Sequence, residues 1–107
     1  VLGHYVRETE ALDLMTALAK MTLLPARRLE TIAPAMLRKG RVQDGADADL
    51  TIYDPDEIND KATYLDSMQF SEGIEHVLVN GVAVVSDGKL VDGVYPGQPV
   101  FGRLKAD

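Results

Sequence analysis

Four of the five aspartates in the stretch GRVQDGADADLTIYDPDEI, Asp44, Asp47, Asp49 and Asp54, stand close together, and carboxylates at that density could hold a cation. Their spacing argues otherwise. A calcium loop alternates its oxygen ligands around a central glycine and closes on a glutamate, while a transition-metal site usually enlists histidine, and the stretch has neither pattern. Aspartate beside glycine is a common turn composition, because the short carboxylate accepts nearby backbone N–H groups, and Asp54-Pro55 is an ordinary strand exit. The aspartates therefore predict a turn running into a strand.

Other chemistry-bearing residues are equally scattered. His4 and His76 are the only histidines, and neither stands at the i, i+4 or alternate spacing that brings two imidazoles to one metal. Each is expected to be a packed or surface residue. Ser67, Ser71 and Ser86 occupy no G-x-S-x-G elbow, and the glycines follow no phosphate-loop spacing. Arg27, Arg28, Arg38, Lys39 and Arg41 form a loose basic cluster, expected to be a solvated face rather than a phosphate groove. From the residues alone, no catalytic, cofactor-binding or metal-ligating position is assigned.

The elements around these residues are easier to read. Leu14, Leu18 and Met21 recur at helical spacing behind Asp13, which suits the N-cap, and Pro25 ends that helix near Thr22. PARRLE then predicts a second helix with Ala26 and Leu29 facing inward, and APAMLRKG a third short piece stopping at Gly40. Beyond Gly40 the period becomes alternating. A strand is expected over Ala48 to Tyr53, and a β-hairpin in IEHVLVNGVAVVSDGKLV, where Asn80-Gly81 suits a type I′ turn. Asp87-Gly88 should form a second turn into Lys89 to Val91, while Pro96 and Pro99 predict an edge or an extended tail. Residues 56–73 are irregular, with Tyr64, Met68 and Phe70 as the expected anchors. Helices before strands read as α+β, with an antiparallel or mixed sheet.

Composition bounds the partners. A chain of 107 residues has the length of one small domain and is expected to form a single packed unit. No apolar run approaches the roughly 20 residues that span a bilayer. The formal charge of -6 disfavours nucleic acid and anionic membranes. The absence of cysteine excludes thiolate chemistry and agrees with a cytoplasmic location. Because the sequence starts at Val1 without Met or a signal-peptide pattern, it is expected to be a piece of a longer protein.

Taken in order, LDLMTALAKMTLLPARRLE, RKGRVQDGADADLTIYDPDEINDKATY and SEGIEHVLVNGVAVVSDGKLVDGVYPGQPV resemble the C-terminal end of metal-dependent amidohydrolases. The general part is G-x-x-x-x-G-x-D-A-D-L, Gly40 to Leu50. Gly3, Tyr5 to Glu8, Lys20 to Thr22, Asp60 to Tyr64, Gly73-Ile74 and Pro96-Gly97 make the chain most similar to the D-aminoacylase or N-acyl-D-amino-acid deacylase branch. The resemblance implies a TIM barrel joined to a small β-sandwich built from both chain ends. It also implies one or two divalent metals, usually zinc, that lower the pKa of bound water for attack on an amide.

Under this resemblance the metal ligands belong to barrel strands earlier than Val1, so none maps onto this chain, which alone is expected to be inactive. Residues 1–39 would end the barrel, and residues 40–107 would form a β domain incomplete in this chain. Asp47 and Asp49 would hold the backbone at the strand start. Two other readings stand beside this one: an independent α+β interaction module, and a fragment of a cyclic-amide hydrolase of the dihydroorotase or hydantoinase kind. The expected partners are the rest of the hydrolase chain, a small N-acyl amino acid, and further copies of the chain, since an open sheet edge invites pairing.

Overall fold

Asp13 caps the first helix as its residue type predicts. In the computed structural model, which describes residues 1–103, Asp13 Oδ1 accepts the Thr16 amide at 3.0 Å and Oδ2 accepts the Thr16 hydroxyl at 2.6 Å. Those bonds hold the Asp13 carboxyl below its ordinary range, the hydroxyl contributing most. Helix α1 spans Leu14–Met21 and α2 spans Leu23–Leu29, with Thr22 between them outside helical geometry at ψ −77°. Pro25 lies in the first turn of α2, where its missing N–H costs no helical bond. A 3₁₀ turn over Pro34–Arg38 completes the helical layer that was expected.

One helical piece was not anticipated. Leu2–Glu8 forms a wide π-type coil, in which Val6 donates to Val1 O at 3.3 Å and Thr9 to His4 O at 2.9 Å. Leu2, Tyr5 and Val6 do stand at i, i+3, i+4 spacing, but the run is short and interrupted by Gly3, and the spacing does not distinguish a π-type coil from an α-helix.

The second half is a four-stranded antiparallel sheet in the order β1 (Leu50–Tyr53), β2 (Ile74–Val79), β3 (Val82–Ser86) and β4 (Lys89–Leu90). Two residues of the expected first strand, Ala48 and Asp49, belong to the preceding turn instead. Both hairpin turns have positive φ at their central residues: 50° and 75° at Asn80-Gly81, and 51° and 73° at Asp87-Gly88. Type I′ geometry matches the twist of the flanking strands and so fixes the register. Leu50 pairs with Leu78 across β1 and β2, and Val79 with Val82 across the hairpin. Residues 94–103 form no strand and run as a tail, whose Pro96 carbonyl accepts from Asn80 Nδ2 at 3.3 Å. Arg103 N donates to Ile32 O at 2.7 Å, returning the tail to the helical layer. Residues 104–107 of the expected β domain lie outside the described residues.

The single packed core expected from length does not form. Among the described hydrophobic residues, only Leu2, Ala17, Ala26 and Ala33 are buried. The accessible surface is 8398 Å², against about 5,900 Å² for a compact monomer of 11.7 kDa. The radius of gyration, 15.9 Å, likewise exceeds the roughly 13 Å of a compact chain this long. Leu29, expected inward, is 42% exposed, and Ala26 is the one buried residue of α2. Tyr64, Met68 and Phe70 anchor nothing: they are 108%, 96% and 83% exposed. Their side chains find no apolar surface within the described chain.

Candidate functional site

The cation among the aspartates is a lysine. Lys39 Nζ lies between Asp47 Oδ2, at 2.9 Å, and Asp49 Oδ2, with which it makes a short charged hydrogen bond, and Arg38 Nε stands 3.4 Å from Asp47 Oδ1. Asp49 Oδ1 accepts the Asn80 amide at 2.9 Å, and Gly81 N donates to Ala48 O at 2.9 Å. One carboxylate thereby ties the end of the helical layer, the start of β1 and the β2–β3 turn together. Asp49 and, less strongly, Asp47 hold the Lys39 ammonium above its ordinary pKa, while Lys39 and then the Asn80 amide hold Asp49 below its own.

Asp49 thus grips the backbone as the resemblance implied. Asp47 does so only through its main chain, its amide donating to Arg38 O at 2.9 Å, while its carboxylate meets Arg38 and Lys39 side chains. Asp44 is exposed in the turn closed by Ala46 N and Gln43 O. Asp54 Oδ1 accepts the Asp56 amide at 2.8 Å, the self-bonding turn that aspartate favours. The basic cluster is not simply a solvated face. Arg27 and Arg28 are exposed, but Arg38 and Lys39 hold the aspartates, and Arg41 pairs with Glu30 at 3.2 Å while donating to Lys39 O at 2.9 Å.

The histidines have local partners. His4 Nδ1 lies 3.0 Å from Glu8 Oε2, and His76 Nδ1 accepts the Asp87 amide at 3.4 Å, so its proton belongs on Nε2, 3.7 Å from Asp87 Oδ1. Ser67 and Ser71 are exposed in the irregular segment, and Ser86 pairs with Lys89 across the second hairpin. A shallow depression beside Gly73, lined by Glu57, Ser71, Glu72 and Ile74, opens broadly to solvent. Among the described residues, no three His, Asp or Glu side chains converge to hold a metal. The donor set of these residues therefore does not fit a zinc centre.

Sequence reasoning missed the contact that joins the N-terminal coil to the turn after β1. Arg7 Nη1 donates to Pro55 O at 3.0 Å and Ile58 O at 2.9 Å, so the N-terminal coil grips the turn after β1. Gly3, on the same face, leaves room for it: a Cβ there would meet Ile58 O at 2.7 Å. A glycine and an arginine four residues apart were the available signal, but their partners lie about fifty residues away and are main-chain carbonyls that no residue type announces.

Residues 2–85 match the sequence model of the amidohydrolase family. An N-acyl-D-glutamate deacylase from Alcaligenes xylosoxydans xylosoxydans is 43% identical over 112 residues, an alignment covering 96% of this chain and 22% of that protein. A D-aminoacylase from the same organism is 39% identical over 84 residues, covering 78% and 16%. Among solved structures, a D-aminoacylase matches 94% of this chain and 20% of its own at TM-score 0.82 and 37% identity. The N-acyl-D-glutamate deacylase from Bordetella bronchiseptica, complexed with zinc and a phosphonate that mimics the tetrahedral intermediate, matches 84% and 19% at TM-score 0.72 and 41% identity. The chain spans about a fifth of the length of these relatives.

Proposed function

Since the chain belongs to the amidohydrolase family, we propose that it is the C-terminal part of a zinc-dependent enzyme that hydrolyses the amide bond of N-acyl-D-amino acids. The observation that carries this reading is the match to D-aminoacylase over 94% of the chain at TM-score 0.82, with sequence identity high enough to bear on more than the fold. One named relative is an N-acyl-D-glutamate deacylase and another a D-aminoacylase, which favours acylated D-amino acids over a cyclic amide as the substrate class. In this reading residues 1–39 end a barrel domain, and residues 40–107 form a β domain completed by strands from elsewhere in the polypeptide. Zinc is held by residues outside this chain, and no catalytic step is assigned to residues inside it.

The role of the fragment is structural. Lys39, Asp49 and Arg7 fix the β domain to the last helices, so that the larger part rests on a rigid neighbour. Alone, the chain is inactive, and its outer strands β1 and β4 leave backbone edges that would pair copies of it; light scattering at rising concentration tests that pairing. A cytoplasmic location is part of the same reading, supported by the absence of cysteine.

The test is an assay of the full-length gene product on N-acetyl-D-glutamate, N-acetyl-D-aspartate and N-acetyl-D-leucine, with their L enantiomers and a hydantoin alongside, together with its zinc content. Release of the D-amino acid and near-stoichiometric zinc are expected. Hydrolysis of the hydantoin alone would replace this substrate class. A gene product of 11.7 kDa with neither activity nor zinc would leave the interaction-module reading in its place.

A further inference from the structure

Residues 59–72 form a closed loop whose feet are fixed and whose apolar residues face outward. At the base, Asn59 and Glu72 exchange backbone hydrogen bonds of 3.2 and 2.9 Å, and Lys61 Nζ lies 3.4 Å from Glu72 Oε1. Gly73 at φ 77° packs so closely behind the base that a Cβ there would lie 2.4 Å from Ile58 N. The tip has its own order: Thr63 N donates to Asp66 O at 2.8 Å, Asp66 N to Thr63 Oγ1 at 3.0 Å, and Gln69 Nε2 to Asp66 O at 3.1 Å.

Loops with joined ends are usually packed by their own side chains. Here Tyr64, Leu65, Met68 and Phe70 are 108%, 101%, 96% and 83% exposed. An ordered backbone presenting four large apolar groups to water is a binding surface lacking its partner.

We infer that this loop is a docking strap whose occupant is an apolar surface on the remaining part of the same polypeptide. The inference rests on the proposal that the chain belongs to a longer hydrolase, and two observations select that occupant over a second copy. The relatives are about five times as long as the chain, so a large body of protein accompanies this unit in each of them. The chain also exposes about 2,500 Å² more than a compact monomer of its mass, several times the roughly 800 Å² that each partner contributes to an ordinary dimer. An excess of that size corresponds to a unit lifted out of a larger fold. An anionic lipid surface is disfavoured by Asp56, Glu57, Asp60, Asp66 and Glu72 within and beside the strap.

The experiment places the photocrosslinker p-benzoylphenylalanine at Phe70 and, separately, at Tyr64 in the full-length protein, with mass spectrometry of the products. Crosslinks at monomer mass to peptides outside residues 1–107 of the same polypeptide are expected. Crosslinks that double the mass, or none at either position, would overturn the inference. D-aminoacylase activity and zinc are measured on the same preparation, so that an internal crosslink in a protein without deacylase activity would keep the strap and discard the deacylase reading.

Discussion

The turn over residues 40–49 and the strap over residues 59–72 are both irregular connections beside the same strand, yet they resolve their side chains in opposite ways. In the turn, Asp47 and Asp49 are matched by Arg38, Lys39 and the Asn80 amide, each within 3.4 Å. The strap bonds its backbone to itself and leaves Tyr64, Leu65, Met68 and Phe70 in solvent. A polar group can be satisfied by one well-placed neighbour, whereas an apolar side chain needs a surface. The first requirement is met within this chain and the second is not. Charge density therefore marks where the unit is complete, and exposed aromatic density marks where it is incomplete.

The strongest break in this contrast comes at the foot of the strap. Gly73→Val forces a β-branched residue to φ 77° and drives its Cβ toward Ile58 N and Glu57 C, at 2.4 and 2.6 Å. Backbone strain and overpacking add, and a loss of about 3 kcal/mol or more is expected in urea unfolding. If the loss were under about 1 kcal/mol, the close packing behind the strap would be wrong.

Lys39→Met tests the completed turn. Two carboxylates would lose their shared cation, at a cost of about 1–3 kcal/mol near neutral pH. The sign with pH follows from the shifts. Asp49 titrates below its ordinary value, so its contribution is whole above about pH 4 and is lost as pH falls through its folded pKa. Lys39 titrates above its ordinary value, so its contribution is whole below about pH 10 and is lost as pH rises through its folded pKa. The difference between native protein and variant should accordingly be flat between those limits and shrink as pH falls through the folded pKa of Asp49 or rises through that of Lys39. A difference that persists unchanged in acid would assign the effect to packing of the lysine stem.

A smaller effect is expected at Gly81, which has the positive φ of Gly73 without its crowding. Its φ is 75°, but a Cβ there would meet only Ala48 Cβ, at 3.8 Å. Gly81→Val should cost about 1–2 kcal/mol from conformation alone, and Gly81→Asn less, since asparagine tolerates that region. Equal losses for Gly81→Val and Gly73→Val would show that the difference in packing carries no energy.

These positions also show what a sequence can reveal. Asn80-Gly81 and Asp13 were legible because positive φ and helix capping are local properties carried by the residue type itself. Lys39 reads as part of a solvated cluster because its partners, Asp47 and Asp49, become neighbours only when the chain reverses over Gln43 to Ala46, where Gly45 has φ 81°. Arg7 bonds main-chain oxygens, which look alike in every residue. The strap differs from its expected role for another reason. Tyr64, Met68 and Phe70 do carry the signature of burial, but residue type says only that a side chain should be covered and not which part of a polypeptide covers it.

The smallest expected effect is the sharpest test of the contrast. Leu65 is 101% exposed, so Leu65→Ser in the 107-residue chain removes no contact and should change the unfolding free energy by less than about 0.5 kcal/mol. In the full-length protein the same substitution should cost about 2 kcal/mol, the value of a leucine side chain taken out of water. The comparison uses one residue in two lengths of chain, so its helix or strand propensity and its effect on the unfolded state largely cancel. A loss above about 1 kcal/mol in the short chain would show that the strap packs within it, and the contrast between a satisfied turn and an unsatisfied strap would fail. A loss confined to the longer chain would mean that the strap's apolar side chains are buried only when the rest of the polypeptide is present.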